Sequence, residues 1–320
     1  MKPVKRQDGV ALVTAILLVA IATMLATKLA WDNRVSMRRT EMILEMEQAR
    51  LFALGAEAVA IDVLRQDDKA FDNSSEDWAQ VTPPLEIGID ENVMGQMQGY
   101  MTDAQGRFNL NNLVPAPGGE PSERAVQQFS RLLDILGLDP GIVDAVIDWI
   151  DEDTLPRPGG VEDDFYTNQD PPYRAANLYL RSVSELRSIA NIDAETYDLL
   201  LPHVTALDPN WCGANGVTPI NINSATAVVI ESISEEISSG QAQAWVEERE
   251  ETGWESFGDI TDWPASLQPL VGSEVDVTSN CFELKVLVNV GSSLLSMYSL
   301  LDRSGLGDEI STQVRNFGLE

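Results

Sequence analysis

Residues 10–27 carry no charged side chain, and the apolar run continues to Trp31 with Lys28 as its single interruption. About 20 apolar residues suffice to cross a bilayer, and Trp31 suits the water interface. From residue 32 to about 65 the pattern turns amphipathic. Met42, Met46, Ala49, Ala53, Ala56, Ala60 and Leu64 recur at spacings of three and four, with Glu41, Glu45, Arg50, Glu57 and Arg65 on the other faces. No turn signal separates the two stretches, so one helix of about 55 residues is predicted. Residues 66–84, rich in Asp, Asn, Ser and Pro, break it and read as a loop. Strands follow at 93–102 and 107–110, on either side of the polar turn Asp103-Ala104-Gln105-Gly106.

After a linker at 115–121, helical signals dominate to about residue 270. Two stretches share one plan. Residues 132–151 form helix, turn (Gly137-Leu138-Asp139-Pro140-Gly141) and helix; residues 227–251 do the same. Each is followed by a second hairpin start, Ser182-Val183-Ser184-Glu185-Leu186 and Phe257-Gly258-Asp259-Ile260. A duplicated helical unit similar to the helix-hairpin-helix or SAM-like family accounts for both. The period then returns to two at 282–290, 294–301 and 309–317, read as antiparallel strands. The strand around 99–110 has too few neighbours to stand alone and is expected to join them, leaving the helical region as an insertion.

The acidic excess changes what the chain can bind. Against 51 acidic residues stand 21 basic ones, a formal charge of −30, while 44% of the chain is hydrophobic and supports a sizeable core. A field of that sign repels phosphate backbones and draws cations such as calcium. The two cysteines, Cys212 and Cys281, lie in neither a CxxC nor a zinc spacing. Beyond a membrane helix an even pair points to a periplasmic disulfide, with two buried free thiols as the alternative. Bonded, they would close a loop of about 70 residues, worth about 4 kcal/mol in the chain-entropy model.

Ahead of the apolar run stands a short basic leader with Lys2, Lys5 and Arg6. A secretory signal is cut after its apolar core, whereas here the one plausible cut, after Gly9, precedes it. Cutting there keeps the helix on the mature protein. The segment resembles a type IV prepilin N-terminus, in which a leader peptidase removes the basic peptide and the new first residue, here Val10, is N-methylated. A plain signal anchor is the alternative. Lys28, Arg34, Arg38 and Arg39 on the far side make the positive-inside count equivocal.

Gly9-Val10-Ala11-Leu12-Val13-Thr14, Arg107-Phe108-Asn109-Leu110-Asn111, Asp148-Trp149-Ile150-Asp151-Glu152-Asp153, Glu162-Asp163, Pro172-Tyr173-Arg174-Ala175-Ala176-Asn177, Val183-Ser184-Glu185-Leu186 and Ile220-Asn221-Ile222-Asn223-Ser224-Ala225 together resemble the minor pseudopilin K family, general secretion pathway protein K of type II secretion. The resemblance covers nearly the whole chain. It implies an α+β, type IV pilin-like fold, a long N-terminal helix plus antiparallel sheet, with a large inserted SAM-like or helix-hairpin-helix-like domain. The expected parts are a leader (1–9), a transmembrane stretch (10–31), the pseudopilin helix and first strands (32–114), the insertion (115–275, as units 122–208 and 217–275) and returning strands (276–320).

The family also implies a single-pass inner-membrane protein with its C-terminal domain in the periplasm, trimmed by prepilin peptidase. Assembly with minor pseudopilins I and J at the pseudopilus tip follows, to initiate or cap the fibre, with the exoprotein and the outer-membrane channel as further candidate contacts. Docking is expected along residues 42–64 and neighbouring strands. Most pilins hold a glutamate at the fifth mature position, where it neutralises a neighbour's terminal ammonium; here that position is Thr14. An intramembrane carboxylate is kept only where it has a partner, so its absence fits a subunit with nothing above it. The plainer reading is a threonine tolerated in the helix.

One acidic constellation stands out. Asp148, Asp151 and Asp153 close a predicted helix and run into Pro156, Pro158, Gly159 and Gly160, with Glu162, Asp163 and Asp164 just beyond. Counting from Asp151, Asp153 is third and Glu162 twelfth, as in an EF-hand, but Pro156 holds the sixth position where glycine is required, so no true EF-hand is expected. On the residues alone, a solvated acidic loop and a calcium site both remain open. The resemblance, to a family that binds calcium in this domain, implies a structural ion on Asp151, Asp153, Glu162 and Asp163, with Asp148 and Asp164 behind them.

Other functions are set aside. The 220–225 motif is also similar to the start of helix-hairpin-helix domains in membrane-anchored, competence-type DNA receptors. Such hairpins need a Gly-x-Gly-like turn and basic neighbours, whereas Ser232-Ile233-Ser234-Glu235-Glu236 would repel DNA. No enzyme is expected. His203, the sole histidine, follows Leu201-Pro202 at an apolar helix end and reads as a packing or capping residue, and neither G-x-S-x-G nor a Gly-rich phosphate loop occurs. Trp149, Trp245, Trp254 and Trp263 are expected to fill cores between helices.

Overall fold

The computed structural model describes residues 8–89, 92–116, 118–212, 216–249, 253–305 and 309–318. The expected leader lies outside the described residues up to Gln7. Helix α1 (Asp8–Gln66) runs unbroken for 59 residues, through the Gly9-Val10 junction. It is long and apolar enough to cross a membrane, and residues 10–34 are all exposed. Within that stretch Thr14 donates its hydroxyl to the carbonyls of Val10 (3.1 Å) and Ala11 (3.0 Å), so its polar group is satisfied by its own helix.

The later part of α1 seals a sheet. Strands β1 (Leu85–Ile89) and β2 (Asn92–Asp103) pair antiparallel, and the chain then leaves them. In the insertion, β3 (Phe108–Asn109) runs parallel to β4 (Val204–Thr205), and β5 (Ile220–Asn221) parallel to β6 (Val275–Asp276). The sheet resumes with β7 (Cys281–Val290), β8 (Ser293–Asp302) and β9 (Ser311–Phe317), in the antiparallel order β1-β2-β7-β8-β9. Ala49, Ala53, Ala60 and Leu64 close onto Phe282, Leu284, Val286, Val288 and Met297. Three alanines along the contact let the helix backbone come close to the strands.

A carboxylate clamps that contact. Glu57, buried on α1, accepts from Ser299 (2.6 Å) on β8 and from Thr312 (3.0 Å) and Arg315 Nε (2.8 Å) on β9. Burial opposes its ionisation, but these donors outweigh burial and hold the carboxyl below its ordinary range.

Residues 107–110 do not return to the pilin-like sheet as expected. Phe108, Leu110 and Leu113 are buried in the helical core instead, so the chain crosses into the insertion before residue 114. The reason is pairing: Phe108 and Asn109 have β4 as their partner, far ahead in the chain. β1 was not anticipated, because a five-residue alternation after Pro83-Pro84 is too short to stand out.

The insertion is built twice on one polar skeleton. Its helices are α2 (Glu123–Leu136), α3 (Ile142–Ile150), α4 (Asp163–Tyr166), α5 (Ala194–Leu200), α6 (Ala227–Ser232) and α7 (Ser239–Arg249). In the first unit Asn109 accepts from Asn111 N, and Asn111 clasps both the N–H and the carbonyl of Leu180 at 2.9 Å. In the second, Asn221 accepts from Asn223 N, and Asn223 clasps the N–H and carbonyl of Trp254 at 2.9 Å. Both clasped residues precede a capping box, Ser182 with Glu185 and Ser256 with Asp259. Buried amides fully paired in this way fix each unit's closure. The hairpins α2–α3 and α6–α7 share one core, in which Trp149, Trp245 and Trp254 are buried and Trp263 packs on Trp245 at 5.5 Å between ring centroids.

A disulfide joins Cys212, between the two units, to Cys281 at the start of β7, with Cα atoms 5.2 Å apart. The covalent tie straps the insertion to the sheet.

Candidate functional site

The two units differ chiefly where α3 and α7 end. After α7 the chain reaches Trp254 within a few residues, whereas after α3 it makes a long excursion, residues 151–179, before Leu180. That excursion holds the acidic constellation. It has little core of its own beyond Tyr166, which packs edge-on against Trp149 at 5.2 Å.

Asp151, Asp153 and Glu162 each place a carboxylate oxygen within 4.8 Å of the others. The first, third and twelfth positions of the motif therefore meet despite Pro156. Asp151 and Glu162 are buried, and Asp151 Oδ1 and both oxygens of Glu162 have no hydrogen-bond donor. Burial first, then the charges of Asp148, Asp151 and Asp153, pushes Glu162 up to about 7. Burial and Asp153 take Asp151 up to about 6.

The remaining candidates are placed differently. Asp148 accepts from Arg157 N at 3.1 Å, and burial with Asp151 and Asp144 nearby takes it up to about 6 even so. A side chain at Gly160 would lie 2.1 Å from Asp148 Oδ2, so glycine is needed for the loop to close on α3. Asp163 accepts from Ala175 N (3.1 Å) and pairs with Arg174 (3.5 Å), while Asp164 is exposed. Residue-by-residue reading missed two contributors. Asp144 anchors the loop through Arg157 Nε (3.2 Å) and Gly159 N (3.0 Å). Asn177 has a buried Oδ1 with no donor, while its N–H reaches Trp149 O (3.0 Å) and its Nδ2 reaches Asp153 O (3.4 Å). Its φ of 48° is one asparagine tolerates, and the sequence marked it only as the last residue of the family-like stretch 172–177.

Orphaned, buried carboxylate oxygens form an oxygen-only donor set, and Asn177 Oδ1 is a further buried oxygen without a donor in the same excursion. That chemistry fits a hard divalent cation.

The α1 stripe divides in two. Ala49, Ala53, Ala60 and Leu64 are used by the protein's own sheet, whereas Met42 and Met46 at the head of the stripe stay exposed, as do Ile43, Leu44, Leu51 and Val59 on other faces of the helix. The candidate docking face is thus narrower than the periodicity implied, because helical spacing marks an apolar side without saying what covers it.

The turn of the second hairpin is not open to nucleic acid. Arg131 donates to the carbonyls of Ser232 (2.8 Å) and Ile233 (2.7 Å), so the turn of the second unit is docked on α2. His203 Nδ1 lies 2.8 Å from Thr226 Oγ1, the residue that caps α6, and burial lowers its pKa.

The family model described as Type II secretion system (T2SS), protein K matches residues 106–210, and a second one of the same description matches 220–278. Type II secretion system protein K of Pseudomonas aeruginosa is 33% identical, over 98% of this chain and 93% of its own length. The protein of that name from Pectobacterium carotovorum subsp. carotovorum is 31% identical, over 98% and 97%. Among solved structures, a chain of the GspK-GspI-GspJ complex from the enterotoxigenic Escherichia coli Type 2 Secretion System superposes with a TM-score of 0.71 at 27% identity, over 88% of this chain and 100% of that one.

Proposed function

This chain belongs to the type II secretion system protein K family and is a minor pseudopilin of that system, and from this we propose that it works at the pseudopilus tip, joining minor pseudopilins I and J to initiate or cap the fibre. The division of α1 carries the reading. Its first part is apolar and uncovered while its last part is consumed by the sheet, so the free part needs lipid and then neighbouring helices. The related chain solved in complex with GspI and GspJ supports those partners. In this reading prepilin peptidase cuts after Gly9, Val10 is methylated, and the body stands in the periplasm on one inner-membrane helix. The role is non-enzymatic, and the acidic insertion faces the outer-membrane channel or the exoprotein. Thr14, self-satisfied, asks for no partner above it.

Full-length protein in detergent should capture soluble I and J candidates. Ile43→Asp with Leu44→Asp is expected to lower that capture at least tenfold with an unchanged melting temperature, since both side chains are exposed. Undiminished capture would remove this face from the interface.

The acidic loop we assign to structural calcium. Asp151, Asp153 and Glu162 would hold it, with Asn177 Oδ1, Asp148 and Asp163 as further candidate oxygens. The ion supplies the positive charge that these carboxylates lack. The linkage has a definite sign. Glu162, Asp151 and Asp148 are raised above their ordinary values, so without calcium their contribution to stability is full below about pH 4 and is lost as pH rises through 6 to 7. Calcium needs the same groups deprotonated, so its binding strengthens over that range. Melting temperatures in EGTA should fall from pH 5 to 7.5, and the stabilisation by calcium should grow. Coincident EGTA and calcium melts at pH 7.5 would count against the assignment.

A further inference from the structure

Asp72 lies in the joint between the pilin-like sheet and the helical insertion. It is fully buried, its N–H donates to Val277 O (2.9 Å), and its carbonyl accepts from Asn221 Nδ2 (3.0 Å). Asp72 Oδ2 accepts from Ser279 N (2.7 Å) and from Arg303. Asp72 Oδ1, also buried, has no donor.

Asp67, Asp72 and Glu76 bring carboxylate oxygens within 4.8 Å of one another. Arg303 also meets Asp67 Oδ2 (2.7 Å), with its Nε committed to Ser279 O (3.0 Å). Both donors that hold Glu76, Asn73 N (2.9 Å) and Trp78 Nε1 (2.8 Å), fall on Oε2. Arg303 balances one charge of the three. Asp103, close behind, is held by the neutral groups Ser224, Ser279 and Asn221 and offers no relief. A buried carboxylate oxygen with no donor costs stability unless a cation or proton meets it.

We infer that Asp67, Asp72 and Glu76 bind a second divalent cation, calcium by the hardness of an all-oxygen donor set, and that this ion locks the insertion onto the pilin-like body. Burial, only partly opposed by Arg303, raises the Asp72 carboxyl up to about 7, and burial raises Asp67 and Glu76 as well, as expected of a pocket short of positive charge. The site is independent of the acidic loop. Its position explains its use: Asp67, Asp72 and Glu76 follow α1, Arg303 follows β8, and Asn221 opens the second helical unit.

The test uses the full-length protein in detergent, stripped with EGTA and dialysed against radioactive calcium. Asp67→Asn with Glu76→Gln is expected to bind one calcium fewer than wild type, and Asp151→Asn with Glu162→Gln to lose the loop ion separately. Terbium, excited through tryptophan, supplies a second readout. In the Asp151→Asn, Glu162→Gln background, Trp78→Phe should weaken the remaining sensitised emission severalfold, because Trp78 touches Glu76. Wild-type calcium stoichiometry in Asp67→Asn with Glu76→Gln would overturn the inference. Should that variant not fold, emission unchanged by Trp78→Phe would overturn it instead. Failure of the loop variant to lose calcium would sink the loop assignment and leave this site standing.

Discussion

Replacing Cys212 and Cys281 together by serine is expected to destabilise the protein by about 4 kcal/mol and to lower its melting temperature by about 10 °C. The size follows from what the bond spans. Its ends are 69 residues apart in sequence, and the closed loop contains the entire second helical unit. Opened, the unfolded chain regains that loop's freedom. Both cysteines are buried, and the neighbouring bonds, Asp302 with Cys212 N (3.0 Å) and Asn280 with Cys212 O (3.2 Å), are single contacts that cannot replace a covalent tie. Urea unfolding of the two proteins gives the difference. A loss under about 1 kcal/mol would mean that noncovalent packing alone fixes the insertion on the sheet.

Arg303→Met should be nearly as costly, at about 3–5 kcal/mol in EGTA at pH 8. The substitution keeps apolar bulk against Phe282, over which the guanidinium sits at 4.9 Å, but strips the positive charge from Asp72 and Asp67. Removing one partner of a buried pair leaves the other uncompensated, which is worse than never having had the pair. The pH dependence identifies the cause. Asp72 already has a folded pKa raised to about 7, and losing Arg303 raises it further. A carboxyl raised in the folded state stabilises while protonated, so the penalty should shrink towards pH 4 and grow as pH climbs through 7. A penalty independent of pH would instead indicate lost packing.

Local pattern carried much of the architecture. The unbroken α1, the strands at β2 and β7 to β9, and the paired hairpins α2–α3 and α6–α7 all follow from periodicity, helped in the first hairpin by its Gly/Pro turn. The same spacing rules misplaced residues 107–110, which look like half of a hairpin yet pair with β4. They also could not divide the α1 stripe, since Ala49 and Met42 are both apolar positions of it but one faces the sheet and the other is exposed. Of the six acidic candidates, three converge, and Asn177, whose buried Oδ1 has no donor, is chemically ordinary in the linear chain.

What this sequence determined by itself is the set of elements and the family's layout, because helix and strand periods are properties of neighbouring residues. Tertiary structure alone decided which carboxylates meet, which helix face stays open and how Asn111 and Asn223 come to clasp Leu180 and Trp254. Those partners lie tens of residues apart, and their distances are set by the burial of two separate cores, a quantity summed over the whole fold.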